Sequence, residues 1–173
     1  MQMEKIDLIE GKKLNLRRMT ADDTESIVAW RNKPFVVEHF IYKKPVTADD
    51  HSRWIREKVE TGLVEQFVIG IKESGREIGS VYLQKIDHEK HSAEYGIFIG
   101  EEDALGKGYG SEAMQLILKY AEECLEIRTV DLRVLEDNES ALHVYEKNGF
   151  KAVEEKECSY TEDGKKIIHM LRG

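Results

Sequence analysis

The sequence contains few of the residues that build cross-linked or metal-bound scaffolds. Its two cysteines, Cys124 and Cys158, lie far apart, form no CxxC pair and have no histidine at zinc-ligand spacing. Neither a disulfide framework nor a structural metal is indicated. The HxxH pair of His88 and His91 has no further ligand nearby in sequence, so we predict no metal site.

Long apolar runs and linkers are also missing. No apolar run approaches the roughly 20 residues that a bilayer-spanning helix needs, and the N-terminal sequence lacks the layout of a signal peptide. We therefore expect a cytoplasmic protein with no membrane partner. With only two prolines and no repeat or low-complexity tract, the 173 residues are predicted to form a single domain, 1–173.

Positive charge is in deficit, since 26 Lys and Arg face 34 Asp and Glu, for a net charge of −8. A nucleic-acid-binding module normally carries a basic stripe that neutralises phosphates. We therefore expect no nucleic-acid partner. The acidic balance instead favours a cationic small molecule such as an amine as substrate.

The periodicity that is present predicts an α/β (α+β) domain. Residues 12–18 alternate as a strand, Thr20 is placed to cap a helix through Trp30, and Thr47 is placed to cap a second helix. Three β-rich runs at 66–72, 77–86 and 93–99 then predict an antiparallel meander.

Helical spacing begins near Gly110 and continues to Leu125. A strand at 129–135, a helix at 139–147 and two closing strands at 151–160 and 165–171 complete the pattern. A strand, helix and strand in succession normally form a right-handed parallel crossover. We therefore predict a mixed, mostly antiparallel central sheet flanked by about four helices.

A glycine-rich loop precedes the long helix. Gly106, Gly108 and Gly110 allow a tight turn and bring backbone N–H groups to a helix N-terminus, a suitable site for phosphate. Five residues separate Gly100 from Gly106, which excludes the nucleotide-triphosphatase loop. Gly108, Gly110 and Ala113 do fit the dinucleotide fingerprint, but that motif belongs to the first turn of a parallel βαβ unit.

A second motif lies about 30 residues further on. Its fixed positions, with the spacing Asn-x-x-Ala-x-x-x-Tyr-x-x-x-Gly-Phe, are Asn138, Ala141, Tyr145, Gly149 and Phe150. Together with the glycine loop and the order of elements, this segment resembles the GNAT superfamily of N-acetyltransferases. The family loop is Arg/Gln-x-x-Gly-x-Gly/Ala, in which Gly108 and Gly110 match and Leu105 departs from the pattern.

The resemblance implies the GNAT fold and acetyl-CoA as co-substrate, with its pyrophosphate on the loop amides. The residues that it assigns to the cofactor are Phe98, Gly100, Leu105, Gly106, Lys107, Gly108, Tyr109, Gly110, Ser111, Asn138 and Lys147. Asn138 is alternatively a helix N-cap, and an exposed Lys147 is alternatively only solvated.

The resemblance also implies two catalytic residues. Tyr145 would protonate the leaving thiolate as general acid, and Glu94 would take the proton of the amine as general base. Without the family motif, Tyr145 reads as a core tyrosine and Glu94 as a surface charge on a strand.

The acceptor is suggested by two short segments. Trp30-Arg31-Asn32 and Asp50-His51, the latter followed by Trp54, resemble a subgroup that acetylates nucleotide-linked amino sugars, and there Arg31 and His51 would bind the nucleotide phosphates. Alternatively, both tryptophans are core anchors and Arg31 is a surface ion-pair partner. Polyamines such as spermidine and ribosomal-protein N-termini remain alternative acceptors. A non-catalytic module that binds acetyl-CoA is an alternative function. A homodimer is possible.

Overall fold

A computed structural model describes residues 6–173 of the chain. Nine strands form one sheet: β1 (Leu8–Glu10), β2 (Leu14–Arg18), β3 (Glu65–Ile71), β4 (Glu77–Asp87), β5 (Ser92–Ile99), β6 (Thr129–Leu135), β7 (Lys151–Ala152), β8 (Ser159–Tyr160) and β9 (Lys166–Arg172). Their order across the sheet is β1-β2-β3-β4-β5-β6-β9-β7, and β8 also pairs with β9.

Five α-helices accompany the sheet, one more than the sequence predicts: α1 (Thr24–Arg31), α2 (Pro34–Val37), α3 (Ala48–Trp54), α4 (Tyr109–Leu125) and α5 (Glu139–Lys147). The extra helix is α2, a single turn that begins at a proline and is too short to show helical periodicity. A wider π-helical segment, Ile55–Val59, follows α3.

Two threonine caps organise the N-terminal helices. Thr47 caps α3 as predicted, and it forms a capping box with Asp50 in which each side chain accepts from the other's backbone N–H, at 3.1 and 3.0 Å. Thr20 caps a short 3-10 turn, Ala21–Asp23, instead of the helix predicted to run directly to Trp30. The α-helix begins one turn later, because Asp23 folds back onto the Thr20 backbone N–H.

The sheet is mixed, as predicted. Every strand pair is antiparallel except β5 and β6, which are parallel and joined through α4. Their pairing covers only three rows, ending where Glu94 lies opposite Asp131. Beyond that row, β5 and β6 each continue for several residues without pairing to each other. The sheet therefore opens into a split near its centre.

Two apolar clusters pack on the sheet. The larger is built around the buried stripe of α4, which includes Ala113, Met114, Ile117 and Ala121. Burying each large aliphatic side chain of this kind contributes about 1.5–3 kcal/mol. The smaller cluster joins α1 and α2 to the sheet: Met19, Ile27, Trp30, Val36, Val68 and Phe98.

A loop connecting α2 to α3 is tied at its base by Asn32. The Asn32 Nδ2 donates to the Val46 carbonyl at 2.7 Å, and the Val46 N–H donates back to Asn32 Oδ1 at 2.8 Å. Further along the loop, Lys43 pairs with Asp163 at 3.0 Å, next to the turn before β9. These contacts hold the loop across the sheet near the split.

The first closing strand of the sequence prediction is wrong in extent. Residues 151–160 form only the two-residue strands β7 and β8, separated by an exposed charged segment, and both pair with β9. Strand β1 was not predicted, because three residues are too few for a clear alternation. No helix within residues 6–173 has the length and apolar content needed to span a bilayer.

Candidate active site

A cavity of about 740 Å³ lies at the split between β5 and β6. Its walls come from α1, the loop tied by Asn32, α3, the strands β4 to β6, the segment before α4, and α5. Residues on both faces of β5 contribute, since Glu94 and Tyr95 both line it. The cavity is thus continuous from the glycine loop to the helices of the N-terminal half.

The glycine loop forms one end of this cavity. Gly106 and Gly108 have φ angles of +74° and +82°, a left-handed conformation that glycine adopts without strain. Gly108 is the N-cap of α4 and offers no side-chain cap. Within residues 6–173, the backbone N–H groups of Tyr109, Gly110 and Ser111 have no acceptor. They are free to bind an anion, favoured by the helix dipole.

Tyr145 lines the cavity from α5. Asn138 caps this helix by accepting from the Ala141 N–H at 3.4 Å. The Tyr145 ring packs edge-on against Tyr95, with centroids 6.0 Å apart, and against Phe150 at 6.2 Å. Burial raises the pKa of Tyr145 above its ordinary value. The phenol therefore keeps its proton at neutral pH.

Glu94 lies on β5 and is buried, so it is not the surface charge of the alternative interpretation. Its Oε1 accepts from Gln84 Nε2 at 2.8 Å and from an Arg133 guanidinium nitrogen at 3.3 Å. Its Oε2 accepts from Lys85 Nζ at 3.1 Å. A carboxylate has about four acceptor positions. The three bonds therefore leave one acceptor position, on Oε2.

Arg31 projects from the end of α1 into the cavity. Its guanidinium carbon lies 4.2 Å from the ring centroid of Phe40 and 5.6 Å from that of Phe98. No carboxylate in the described part of the chain pairs with it, and its buried Nε has no hydrogen-bond partner there. Burial lowers the pKa of Arg31, but an arginine remains charged in proteins. Arg31 is therefore a stacked cation without a counter-ion.

His51 lies beside this cation on α3 and is buried. Its Nδ1 is 2.8 Å from Thr24 Oγ1, which joins α3 to α1. Its Nε2 is buried without a hydrogen-bond partner among residues 6–173. Burial, and secondly the charge of Arg31, lower the pKa of His51. The ring is therefore neutral at pH 7, with one unused nitrogen.

The cavity brings together most of the residues that the sequence singles out. Those on its wall are Arg31, His51, Glu94, Phe98, Leu105, Gly106, Gly108, Tyr109, Gly110, Ser111, Asn138 and Tyr145. Lys107 and Lys147 are exposed and do not line it. Gly100 lies beneath Trp30, where an added Cβ would be 2.2 Å from the indole. This glycine is explained by packing, and the roles of all these residues stay predictions.

Several wall residues were missed by the sequence analysis: Phe40, Tyr82, Gln84, Tyr95 and Arg133. Phe40 comes from the loop after α2, and the other four reach the site through the register of β4 against β5 and through the parallel crossover to β6. One usable signal was the alternation of the meander strands, because it places Tyr82 and Gln84 on the same face. The register itself could not be read from the sequence.

The Acetyltransferase (GNAT) domain family matches residues 13–151. The chain belongs to this family of acetyltransferases, and acetyl-CoA is the family's co-substrate. The predictions of fold, enzyme class and co-substrate are thus confirmed.

Two curated relatives and one solved structure are similar to this chain. An uncharacterized protein of Methanocaldococcus jannaschii is 29% identical over 145 residues, 82% of this chain, but the match spans only 29% of that protein's length. Acetyltransferase PseH of Campylobacter jejuni is 28% identical over 84% of this chain and 88% of its own. Vibrio cholerae spermidine N-acetyltransferase, solved with CoA and spermine, has a TM-score of 0.83 at 22% identity and covers 93% of this chain and 95% of its own.

The residues present fit acetyl-CoA. The free N–H groups at the start of α4 suit a pyrophosphate, and an added Cβ at Gly106, Gly108 or Gly110 would meet nothing within 4 Å, so this cradle is open. Beyond Glu94, β5 stays paired with β4 but its edge toward β6 is open, and this edge offers backbone groups to an extended ligand chain. No group of three or more His, Cys, Asp or Glu side chains in residues 6–173 is arranged to hold a metal.

Proposed function

We propose that this acetyltransferase acts on the amino group of a nucleotide-linked amino sugar. The observation that carries the proposal is the cavity-lining guanidinium of Arg31, stacked on Phe40 and lacking a carboxylate partner. A partly desolvated cation without a counter-ion is costly. A phosphate of the acceptor would supply that counter-ion through charge-assisted, bidentate hydrogen bonds.

His51 supports the same assignment. Its unpartnered Nε2 lies in the same cavity as Arg31, and the lowered pKa of His51 keeps the ring uncharged at neutral pH. A neutral imidazole nitrogen is either a donor or an acceptor. As a donor it would bond a second phosphate oxygen, and as an acceptor it would bond a sugar or ribose hydroxyl.

The chemistry follows from two further residues. Acetyl-CoA supplies an acetyl thioester when bound. Tyr145 holds its proton at neutral pH and is suited to donate it to a leaving thiolate as general acid. Glu94 has an unused acceptor position on Oε2, which suits a contact with an N–H of the attacking amine. In the reaction that these roles support, the amine would attack the thioester carbonyl directly, Glu94 would accept the proton lost by the nitrogen, and Tyr145 would protonate the thiolate released when the C–S bond breaks.

A polyamine is the main alternative acceptor. The net charge of −8 would attract spermidine over a distance. Within the cavity, however, a polyamine would approach Arg31, and Arg133 and Lys85 already neutralise Glu94. Screening limits long-range forces to about 8 Å at physiological salt, so nearby charges decide the outcome. The local arrangement favours an anionic acceptor.

A thiol-release assay with nucleotide-linked amino sugars, spermidine and a ribosomal-protein N-terminal peptide tests the proposal. We expect the highest kcat/KM with a nucleotide amino sugar. Arg31→Ala should then raise the acceptor KM about 10- to 100-fold, the value of a lost charge-assisted hydrogen bond. The KM of Arg31→Lys for the acceptor should lie between those of the wild type and Arg31→Ala. Lysine keeps the positive charge but lacks the planar guanidinium that forms paired hydrogen bonds and stacks on Phe40.

Arg53→Ala is the matched control, since Arg53 is an exposed arginine of α3 that does not line the cavity. It should behave like the wild type, and the KM for acetyl-CoA should be unchanged in all three variants. Efficient acetylation of spermidine or the peptide, together with a wild-type Arg31→Ala variant, would overturn the amino-sugar assignment.

A further inference from the structure

Tyr82 is a cavity residue to which no role has yet been assigned. It lies on β4 directly opposite Gly96 of β5. A Cβ added to Gly96 would lie 2.4 to 2.5 Å from the Tyr82 ring, and 2.5 Å from its hydroxyl oxygen. The ring therefore lies across β5 in space that only a glycine leaves open. The absent side chain at position 96 places the phenol oxygen directly over the β5 backbone.

The other side of the Tyr82 ring is fixed by Trp54. The two rings meet edge-on, with centroids 6.3 Å apart and an interplanar angle of 80°. The Trp54 Nε1 donates to Gln66 Oε1 at 2.9 Å, and Gln66 Nε2 donates to Ser80 Oγ, also at 2.9 Å. Ser80 Oγ in turn donates to the Phe67 carbonyl at 2.8 Å. A fully bonded polar chain thus locks the indole that supports Tyr82.

The Tyr82 hydroxyl, by contrast, has no hydrogen-bond partner within residues 6–173, although the residue lines the cavity. Tyr82 is half-buried and its hydroxyl oxygen keeps some accessible surface, so its free donor and acceptor positions face the cavity. Burial raises the pKa of Tyr82, and the nearby charge of Arg31 opposes this effect. The phenol is held in a defined place with its bonding capacity unused, as expected for a group that bonds a ligand.

The position of this hydroxyl in the sheet shows which part of the ligand it meets. Gln84 pairs with Glu94, and Tyr82 pairs with Gly96 in the next row of the same face. The pairing of β5 with β6 ends at Glu94. Tyr82 therefore lies one row beyond Glu94 on the same face, where the split opens. Tyr95 is on the opposite face of β5, where it packs against Tyr145.

We propose that Tyr82 is a further catalytic residue, whose hydroxyl hydrogen-bonds the acceptor amine and orients it at the mouth of the split. A neutral primary amine has two N–H groups and one lone pair. If the free position on Glu94 Oε2 accepts one N–H and the Tyr82 oxygen accepts the other, the lone pair is left to attack. This inference rests on amine acetylation by the family, and it does not depend on which amine is the acceptor.

The test measures kcat and KM for both substrates in Tyr82→Phe and Gly96→Ala, using the amine of the thiol-release panel that has the highest kcat/KM. Tyr82→Phe should lower kcat/KM for the amine about 10- to 100-fold, the scale of a lost orienting contact, and leave the KM for acetyl-CoA and the melting temperature unchanged. Gly96→Ala keeps the hydroxyl but displaces the ring, so it should show a similar loss.

Tyr160→Phe is the matched control, because Tyr160 is 60% exposed and lies outside the cavity. It should match the wild type. Wild-type kinetics in Tyr82→Phe would overturn the proposal, and so would an equal loss toward both substrates with a lowered melting temperature. If Gly96→Ala fails to fold, the kinetics of Tyr82→Phe alone test the proposal. If spermidine proves to be the best amine, the amino-sugar proposal fails while this test stands.

Discussion

Within the described part of the chain, ring packing alone holds the phenol of Tyr145 in the cavity. Its ring contacts Tyr95 and Phe150, and no hydrogen bond joins its hydroxyl to residues 6–173. Replacing Tyr145 with Phe therefore removes one proton donor and keeps the ring contacts. We expect kcat to fall about 10- to 1000-fold, the range for loss of one general acid, with acetyl-CoA affinity nearly unchanged.

Steady-state kinetics and calorimetric titration of acetyl-CoA check this prediction. Tyr109→Phe serves as a comparison, because Tyr109 lines the same cavity from the start of α4 but has no proposed proton-transfer role. Its kcat should stay within a few-fold of the wild type. Wild-type turnover in the Tyr145→Phe variant would exclude the general-acid role.

At the scale of elements, we propose that the N-terminus of α4 binds the pyrophosphate of acetyl-CoA. Gly108 has a φ of +82°, and a Cβ there would meet nothing within 4 Å, so the strain of a substitution comes from the backbone conformation. Asn and Asp tolerate this conformation better than most residues. Gly108→Asp should abolish measurable acetyl-CoA binding, because its negative charge lies where the pyrophosphate would bind.

Gly108→Asn provides the matched comparison for this variant. It adds a side chain of nearly the same shape without the charge, so it should retain part of the affinity. Calorimetric titration of both variants, with circular dichroism to verify folding, separates charge from shape. Equal affinity in Gly108→Asp and the wild type would contradict the placement of the pyrophosphate.

The sequence predicts the elements that are long and strongly periodic. The strand 129–135 and the helix 139–147 match β6 and α5 in both bounds, and α4 begins one residue before the predicted start at Gly110. Strand β1 and helix α2, which have only three and four residues, were not predicted. A period cannot be recognised in so short a segment.

The site was less accessible from the sequence than the fold. Motif spacing identified Tyr145 and the glycine loop, which lie within single continuous segments. The partners of Glu94 come from separate strands, Lys85 from β4 and Arg133 from β6. Their meeting depends on strand register, including an irregularity between Gln84 and Asp87 at which Lys85 has a φ of +51°. Such contacts follow from tertiary structure and leave no local signature.

At the scale of the whole molecule, the burial of His51 should make the free energy of unfolding depend on pH. The ring connects α3 to α1 through Thr24, and burial lowers the pKa of His51 below its ordinary value of 6.5. Above that value the histidine is neutral in both folded and unfolded chains, so it has no effect. As the pH falls below about 6.5, the unfolded chain binds a proton that the folded chain resists, and stability decreases.

Replacing His51 with Gln removes this titration. Between about pH 7.5 and 5.5, the wild type should lose more unfolding free energy than His51→Gln, with an upper limit of about 1.4 kcal/mol set by the one pH unit that separates 5.5 from the ordinary pKa of 6.5. Urea denaturation at a series of pH values measures the difference, and His143→Gln is the control because His143 is exposed on α5. The control should follow the wild-type pH dependence. Parallel curves for the wild type and His51→Gln would show that His51 titrates alike in both states, and that its nitrogen is open to solvent protons when the acceptor site is empty.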